Sequence, residues 1–232
     1  MSKLFPVNSH LLTQACTALS AREGLYWIVG GAGSGKTSIC QALSDQCGLP
    51  VYDMDAHIYG TYHSHFTQER HPVNWAWSTS GNPLAWLLDM SWEEFDSFNQ
   101  AALPEYLDLL ASDLAAIQPV SGVLIDGGVC NPAILAQAIP TSQMVCLATA
   151  HGWSARLWEE SMERQPMKAA VHELPNGEAA WLKFLEFDQR INTTILKECL
   201  ETEIPVCLRS ASDSPAGLAE QVAQLLGIEA GA

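Results

Sequence analysis

The sequence predicts an α/β fold, a doubly wound five-stranded parallel sheet covered by helices on both faces. Three observations predict it. Short, continuously apolar runs recur near residues 25, 51, 122, 145 and 206, the pattern of strands buried on both faces. Between them, apolar residues recur at three- and four-residue steps, the period of amphipathic helices. The composition, 48% apolar and 16% charged over 232 residues, belongs to a chain that can bury a core and not to a disordered one.

The elements follow in order. Asn8 is placed to cap a helix running to Arg22, with Leu11, Leu12, Ala15, Cys16 and Leu19 on one face. Leu25 to Val29 (LYWIV) is an apolar run that ends in glycines and reads as the first strand. Ser34 to Cys47 is helical, and Pro50 to Met54 is a second strand. Residues 56–118 show no strand pattern and read as irregular structure followed by helices, with Leu103, Leu107, Leu110 and Leu114 on one face. This stretch is too long for a simple crossover and is expected to form a small helical subdomain beside the sheet. The third strand is 120–125, and Asn131-Pro132 starts a helix with a cap residue and proline in the first turn. Met144 to Leu147 is a strand and Trp153 to Glu163 a helix. Glu178 to Glu201 is a long helix that carries Phe184, Phe187, Ile191, Ile195 and Cys199. Val206 to Leu208 is the last strand, and Ser214-Pro215 opens a terminal helix that Gly227 closes. The whole of 1–232 reads as one domain.

Eleven Lys and Arg stand against 26 Asp and Glu, a formal charge of −15. With a pI near 4.6, such a chain repels phosphate backbones and anionic lipid. Nucleic acid and membrane surface are therefore not expected partners. No apolar run reaches the roughly 18 residues of a membrane span, and MSKLFPVNSH has no signal-peptide pattern. The seven cysteines are odd in number and widely spaced, with no C-x-x-C, as expected of reduced thiols in a cytoplasmic protein without a zinc site. Nothing in the sequence sets an oligomeric state.

One motif dominates. Gly30, Gly31, Ala32, Gly33, Ser34, Gly35, Lys36 and Thr37 satisfy G-x-x-x-x-G-K-[ST], after an apolar strand and before a helix. Glycines let successive backbone N–H groups turn inward toward phosphate oxygens. The helix that starts here aims the positive end of its dipole at the same anion. Lys36 reaches the outer phosphates, Thr37 can ligate Mg²⁺, and Ser38 completes the nucleotide-binding segment. Such a loop also lets an acidic protein hold a polyanion locally.

Two further segments end strands. Val51-Tyr52-Asp53-Met54-Asp55-Ala56-His57-Ile58 places two carboxylates at the end of strand two, where α/β sheets bind ligands. One carboxylate could hold Mg²⁺ through water and the other accept a proton from an attacking hydroxyl; the plain alternative is a pair of solvated turn aspartates. Val123-Leu124-Ile125-Asp126-Gly127-Gly128 ends strand three with an acid suited to Mg²⁺ and glycines that let a substrate approach the backbone, or else with a simple tight strand exit.

Together these residues resemble the shikimate kinase branch of the P-loop small-molecule kinases. The likeness covers the loop, Asp53-x-Asp55-x-x-Ile58, Gly127-Gly128, and Arg164-Gln165-Pro166-Met167, which looks like the arginine-proline start of that family's lid. The resemblance implies ATP and Mg²⁺ as cofactors, Asp53 and Asp126 with Thr37 on the metal, and Asp55 on the acceptor hydroxyl. It also implies Gly127 and Gly128 in the acceptor site, Arg156 against adenine, Arg164 on a lid over 164–178, and 60–118 as a substrate-binding insert. The segment from Arg209 to Pro215 holds the place of the adenine loop. There are departures. Val129 replaces the family's third glycine, Asp126 is an acid these kinases usually lack, and the insert is much larger. Arg70 is the one Lys or Arg between Lys36 and Arg156, so the insert has no clear counterpart of the acceptor-binding arginine. The expectation is a related kinase with a different small-molecule hydroxyl acceptor. The absence of N-K-x-D favours ATP over GTP.

Other signals have two readings each. Trp75, Trp77, Trp86 and Trp92 either stack on a ligand or form the core of the helical segment. His57 leaves the same strand end as the aspartates and could touch substrate, whereas His63 and His65 lack the spacing of a dedicated metal site. Arg156, Arg164, Lys168 and Arg190 either close over a phosphoryl group or pair with nearby acids such as Glu159, Glu160 and Glu163. Pro166 and Asn176-Gly177 are expected to break helix at the two ends of the lid. The alternative function is a nucleotide-dependent regulatory NTPase, a switch that binds a protein partner through the helical insert.

Overall fold

A computed structural model describes residues 4–116, 122–150, 153–210 and 213–228. Helix α1 (Ser9–Ser20) leads to strand β1 (Leu25–Val29), helix α2 (Lys36–Cys47), strand β2 (Val51–Asp53) and helix α3 (Met54–Tyr59). The insert continues through α4 (Pro72–Ser78), α5 (Pro83–Leu88) and the long α6 (Trp92–Ala116). Then come β3 (Val123–Asp126), α7 (Pro132–Leu135), β4 (Met144–Ala148), α8 (Trp153–Glu160), α9 (Gln165–His172), α10 (Gly177–Glu201), β5 (Val206–Leu208) and α11 (Pro215–Leu226).

The sheet is five-stranded, all parallel, with order β2-β3-β1-β4-β5. Period-two alternation divides its side chains between two faces. On β1, Ile28 packs with Ile39, Leu43, Leu218 and Val222, under α2 and α11. Its neighbours Trp27 and Val29 point to the other face, into a core shared with α1, α6 and α10. The doubly wound expectation is therefore met. β1 lies between β3 and β4, so the chain turns to opposite sides at its carboxyl end and opens a crevice there.

Several boundaries differ from expectation, each for a local reason. Helix α2 begins at Lys36 and not Ser34, because Gly35 sits at φ +92°. Strand β2 stops at Asp53, whose carboxylate accepts from Ala56 N at 2.9 Å and starts a helix at Met54. Asp55 thus lies in a first helical turn. Helix α8 ends at Glu160 because Ser161 is extended. Pro166 and Asn176 mark helix starts, not breaks: Pro166 occupies the first turn of α9, and Asn176, at φ +57°, precedes α10. The third strand starts at Val123, after Gly122 at φ +149°; residues 120–121 of its expected span, like 117–118 of the insert and 211–212 of the Arg209 to Pro215 segment, lie outside the described residues.

The insert has no core of its own. Trp77, Phe95, Phe98, Leu107 and Leu110 belong to the same apolar cluster as Trp27 and Ile125 of the sheet. Trp75, Trp86 and Trp92 pack against that cluster. The packing reading of the tryptophans holds, with a core larger than the subdomain the sequence suggested. The pleat alone does not show how far α6 reaches across the sheet.

Inside the insert, two buried acids gather donors from the start of α4 and from Arg70 and His71. Glu105 is 1% exposed and accepts from Val73 N, Asn74 N and Asn74 Nδ2 at 3.0, 2.8 and 2.8 Å, satisfying the open amides at the start of α4. Burial pushes its carboxyl up to about 7 despite those donors. A carboxyl raised on folding binds its proton more tightly in the native state, so its stabilising contribution is lost as pH rises from 4.5 through about 7. Wild-type stability is therefore expected to fall relative to Glu105→Gln across that range. Urea midpoints of the two proteins at several pH values check this, and a constant difference would show that Glu105 titrates as it does in the unfolded chain. Arg70 is held by Asp108, with Nε and Nη2 at 2.7 and 2.5 Å, and His71 Nε2 joins the same carboxylate at 3.0 Å.

Candidate functional site

The site lies in the crevice beyond β1 and β3. After Val29 the glycine-rich loop turns into α2, and Lys36 Nζ donates to the Gly31 carbonyl at 3.2 Å, folded back over the loop. Ser34 is 1% exposed, and its hydroxyl has no partner, a donor left over within the cradle. A Cβ on Gly31 would fall on the Asn192 side chain, so α10 presses directly on the loop. A Cβ on Gly35 would come within 2.5 Å of Arg209 Nη1, which places this arginine, just after β5, at the start of α2.

Asp126 ends β3, in register with Asp53 of β2 and Ile28 of β1. It is 3% exposed, the Thr37 hydroxyl bonds its carboxylate, and its Oδ1 has no partner. Burial raises its pKa, with Thr37 and Lys36 opposing. An unpartnered buried carboxylate oxygen beside a threonine hydroxyl fits a hard cation with oxygen ligands. Among the described residues no group of three or more His, Cys, Asp or Glu is arranged to hold a metal by itself. That is compatible with Mg²⁺, which commonly takes one or two carboxylates together with phosphates and water. Asp53 is partly committed elsewhere, since one of its oxygens caps α3.

Asp55, in the first turn of α3, meets the loop that follows β3. Its Oδ1 accepts from Gly128 N at 3.0 Å. Burial raises its pKa, Lys36 lowers it, and Asp126 raises it again. Gly127 and Gly128 sit at φ +75° and +74°, conformations that L side chains rarely adopt. A Cβ on Gly127 would also collide with the Asp55 carboxylate. The Gly127 carbonyl accepts from Trp27 Nε1 at 2.9 Å, so a fully buried β1 residue pins this loop. Replacing Gly127 by Ala is expected to cost about 1–2 kcal/mol of stability through backbone strain and to displace Asp55. Acceptor turnover should fall at least about tenfold while nucleotide affinity stays near wild type, because a small shift of a positioned group is costly. Steady-state kinetics with a nucleotide titration would show it, and wild-type turnover would mean that Asp55 has no set position to lose.

The structure treats the remaining sequence candidates differently. His57 stacks on Tyr52 with ring centroids 4.0 Å apart, and its Nδ1 lies 2.8 Å from the Asp53 carbonyl, within a cluster of Tyr52, Tyr62 and Asp113. Its interactions are therefore local. Arg156 is largely exposed, 3.9 Å from Glu160. Arg164 lies over the Trp158 ring at 4.2 Å and acts on Asp188 of α10. Lys168 pairs with Glu159 and Arg190 with Glu186, the bland alternative for both. The 164–178 segment carries α9, whose Val171 is fully buried.

Sequence reasoning missed Asp188, Asn192 and Trp27. Asp188 is 7% exposed, bonded to Ser154, and its pKa is raised by burial. Asn192 Nδ2 donates to the Asp188 carbonyl at 2.7 Å. Their spacing on α10, i and i+4, puts both on one helical face and was the available signal.

A glycine-rich loop between a central parallel strand and a helix N-terminus, in this strand order, defines the P-loop kinase-like α/β fold. No family model matches the sequence, and no curated protein matches it. Among solved structures, TT1252 from Thermus thermophilus is similar at a TM-score of 0.50 and 17% identity, over 90% of this chain and 100% of that one. Shikimate kinase from Acinetobacter baumannii, in complex with shikimate, is similar at 0.46 and 17% identity, over 91% of this chain and 96% of that one. A sugar kinase from Janibacter sp. HTCC2649 gives 0.36 and 16%, over 89% of this chain and 96% of that one. These likenesses concern the fold. No helix among the described residues is long and apolar enough to cross a membrane.

Proposed function

We propose that the protein is a phosphotransferase that moves the γ-phosphoryl group of ATP to a hydroxyl of a small-molecule acceptor. The observation that carries this reading is Asp55. A carboxylate held by a backbone amide of the glycine pair, and within electrostatic reach of Lys36, supports this reading. A hydrolase or switch has less need of an acid built into a substrate loop. The insert also buries its apolar face in the shared core, which supports a wall of the acceptor site more than an arm for a protein partner.

In this reading the loop amides from Gly30 to Ser38, the Ser34 hydroxyl and Lys36 hold the phosphates. Thr37 and Asp126 would hold Mg²⁺, with the free oxygen of Asp53 nearby; the ion, when bound, offsets phosphate charge. Asp55 orients the acceptor hydroxyl and takes its proton as the oxygen–phosphorus bond forms and the bond to the β-phosphate oxygen breaks, releasing ADP. Arg164 would leave the Trp158 face to meet the transferring group when the 164–178 segment closes and excludes water. Arg209, and Arg156 by resemblance, would border the nucleotide.

The experiment is ADP release from MgATP with a panel of hydroxylated acceptors, with Lys36→Ala as the blank. Acceptor-dependent release that vanishes in the blank supports the reading. Steady hydrolysis that no acceptor stimulates, with nucleotide binding intact, would favour the regulatory NTPase instead.

A further inference from the structure

Trp27 lies in the middle of β1, fully buried and in register with Ile125 of β3. Its ring belongs to the large apolar cluster. Packing alone would ask only for an apolar side chain at this place. The indole also carries an N–H, and a buried donor needs a partner. It finds one two residues beyond its strand partner, where Nε1 donates to the Gly127 carbonyl at 2.9 Å.

That carbonyl and the Gly128 N–H belong to one peptide unit. A trans peptide is rigid and planar, so its C=O and N–H point in opposite directions within a single plane. One end of this plane receives the Trp27 N–H, and the other gives its own N–H to Asp55 Oδ1 at 3.0 Å. Glycines stand on both sides of the plane, at φ +75° and +74°, so no side chain restrains its rotation. Gly127 N reaches the Ile28 carbonyl only at 3.4 Å, at the end of the β1–β3 pairing. Among the described residues, Gly128 N is the hydrogen-bond donor on the Asp55 carboxylate. The aim of that donor therefore depends on what grips the far end of the plane, and Trp27 grips it.

We infer that Trp27 is a positioning residue for phosphoryl transfer: through the Gly127–Gly128 peptide it aims the backbone N–H that holds Asp55 in place for the acceptor hydroxyl. This inference rests on the phosphotransfer reading, in which Asp55 meets the acceptor, and adds to it a residue that touches no substrate. A hydrogen bond accepted by the carbonyl also polarises the same peptide and strengthens its N–H as a donor. Trp27 stands three residues before Gly30, so one strand carries both the phosphate loop and the clamp on the acceptor loop.

Trp27→Phe keeps a ring in the core and removes the N–H. With shikimate, glucose and myo-inositol as acceptors, it is expected to lower kcat about tenfold, the cost of a small displacement of a positioned group, and to leave ATP affinity within about twofold of wild type. A double-mutant cycle separates positioning from packing. In the Asp55→Asn background the same substitution should change transfer by less than about twofold, because the group it positions no longer takes a proton. Equal losses in both backgrounds, or a wild-type kcat in Trp27→Phe, overturn the inference. The Gly128 amide gives a readout independent of turnover: its resonance in heteronuclear NMR should shift when the Trp27 N–H is lost, and an unmoved resonance overturns the inference too. If Trp27→Phe fails to fold, 3-benzothienylalanine at position 27, an isostere of tryptophan without the N–H, takes its place in every measurement. If none of the acceptors turns over, the Gly128 resonance decides. Wild-type transfer by Asp55→Asn would instead overturn the underlying role of Asp55, and this inference with it.

Discussion

Asp55→Asn is expected to lower acceptor phosphorylation by about 1000-fold while ATP binds as before, within the range general-base removal produces. The substitution is close to isosteric. Asn can still accept from Gly128 N, which in the native protein bonds Asp55 Oδ1 at 3.0 Å, so the glycine loop keeps its anchor. What is lost is the capacity to take a proton. Burial raises the Asp55 pKa, so its carboxylate form, and the transfer rate with it, should grow as pH rises through a value above the ordinary 3.8. In the Asn variant that ascending limb should vanish. Rapid-quench transfer rates across pH, with ATP affinity measured alongside, check both parts. A wild-type rate, or an unchanged acid limb, would remove Asp55 from the chemistry.

Lys36→Ala is expected to reduce transfer by roughly 100- to 1000-fold and to weaken ATP binding, the loss that follows removal of one charged donor from a transition state. The lysine bonds the Gly31 carbonyl at 3.2 Å and acts on Asp55, Asp126, Cys130 and Asp188. Its removal therefore leaves the acids of the crevice without their shared cation. Affinity for ATP should fall more than affinity for adenosine, because on the proposed reading the lysine meets the phosphates and not the nucleoside. Titrations with both ligands test this, and equal losses would mean that the substitution disturbs the loop and not the charge.

Much of this fold was legible before any coordinates. The apolar runs mark the strands because a parallel sheet buried on both faces leaves no polar side to alternate with. The phosphate loop was legible for a related reason: its parts are contiguous, so spacing alone specifies the turn, the amides, Lys36 and Thr37. The residues alone placed Asp53 and Asp55 at a strand end, and it took the family resemblance to give them separate roles. In the structure the two differ by one hydrogen bond each: Asp53 accepts from Ala56 N and Asp55 from Gly128 N. His57 leaves the same strand end as the aspartates, and only the structure shows its ring against Tyr52 and Tyr62.

By itself, then, the sequence determined the layers, the phosphate loop, the acids at the strand ends and the shortage of cations in the insert. Tertiary structure alone decided which of these groups meet. The order β2-β3-β1-β4-β5 sets Asp126 beside Asp53 and lets Trp27 hold Gly127 from 100 residues away. It brings α10 onto the loop, where Asn192 lies against Gly31 and bonds the Asp188 carbonyl. Arg70 was spent on Asp108, 38 residues further along. Local pattern reports the backbone state that a residue prefers. The partner of a charge or a buried polar atom is set by packing between distant segments, because low-dielectric surroundings make any unpaired choice costly.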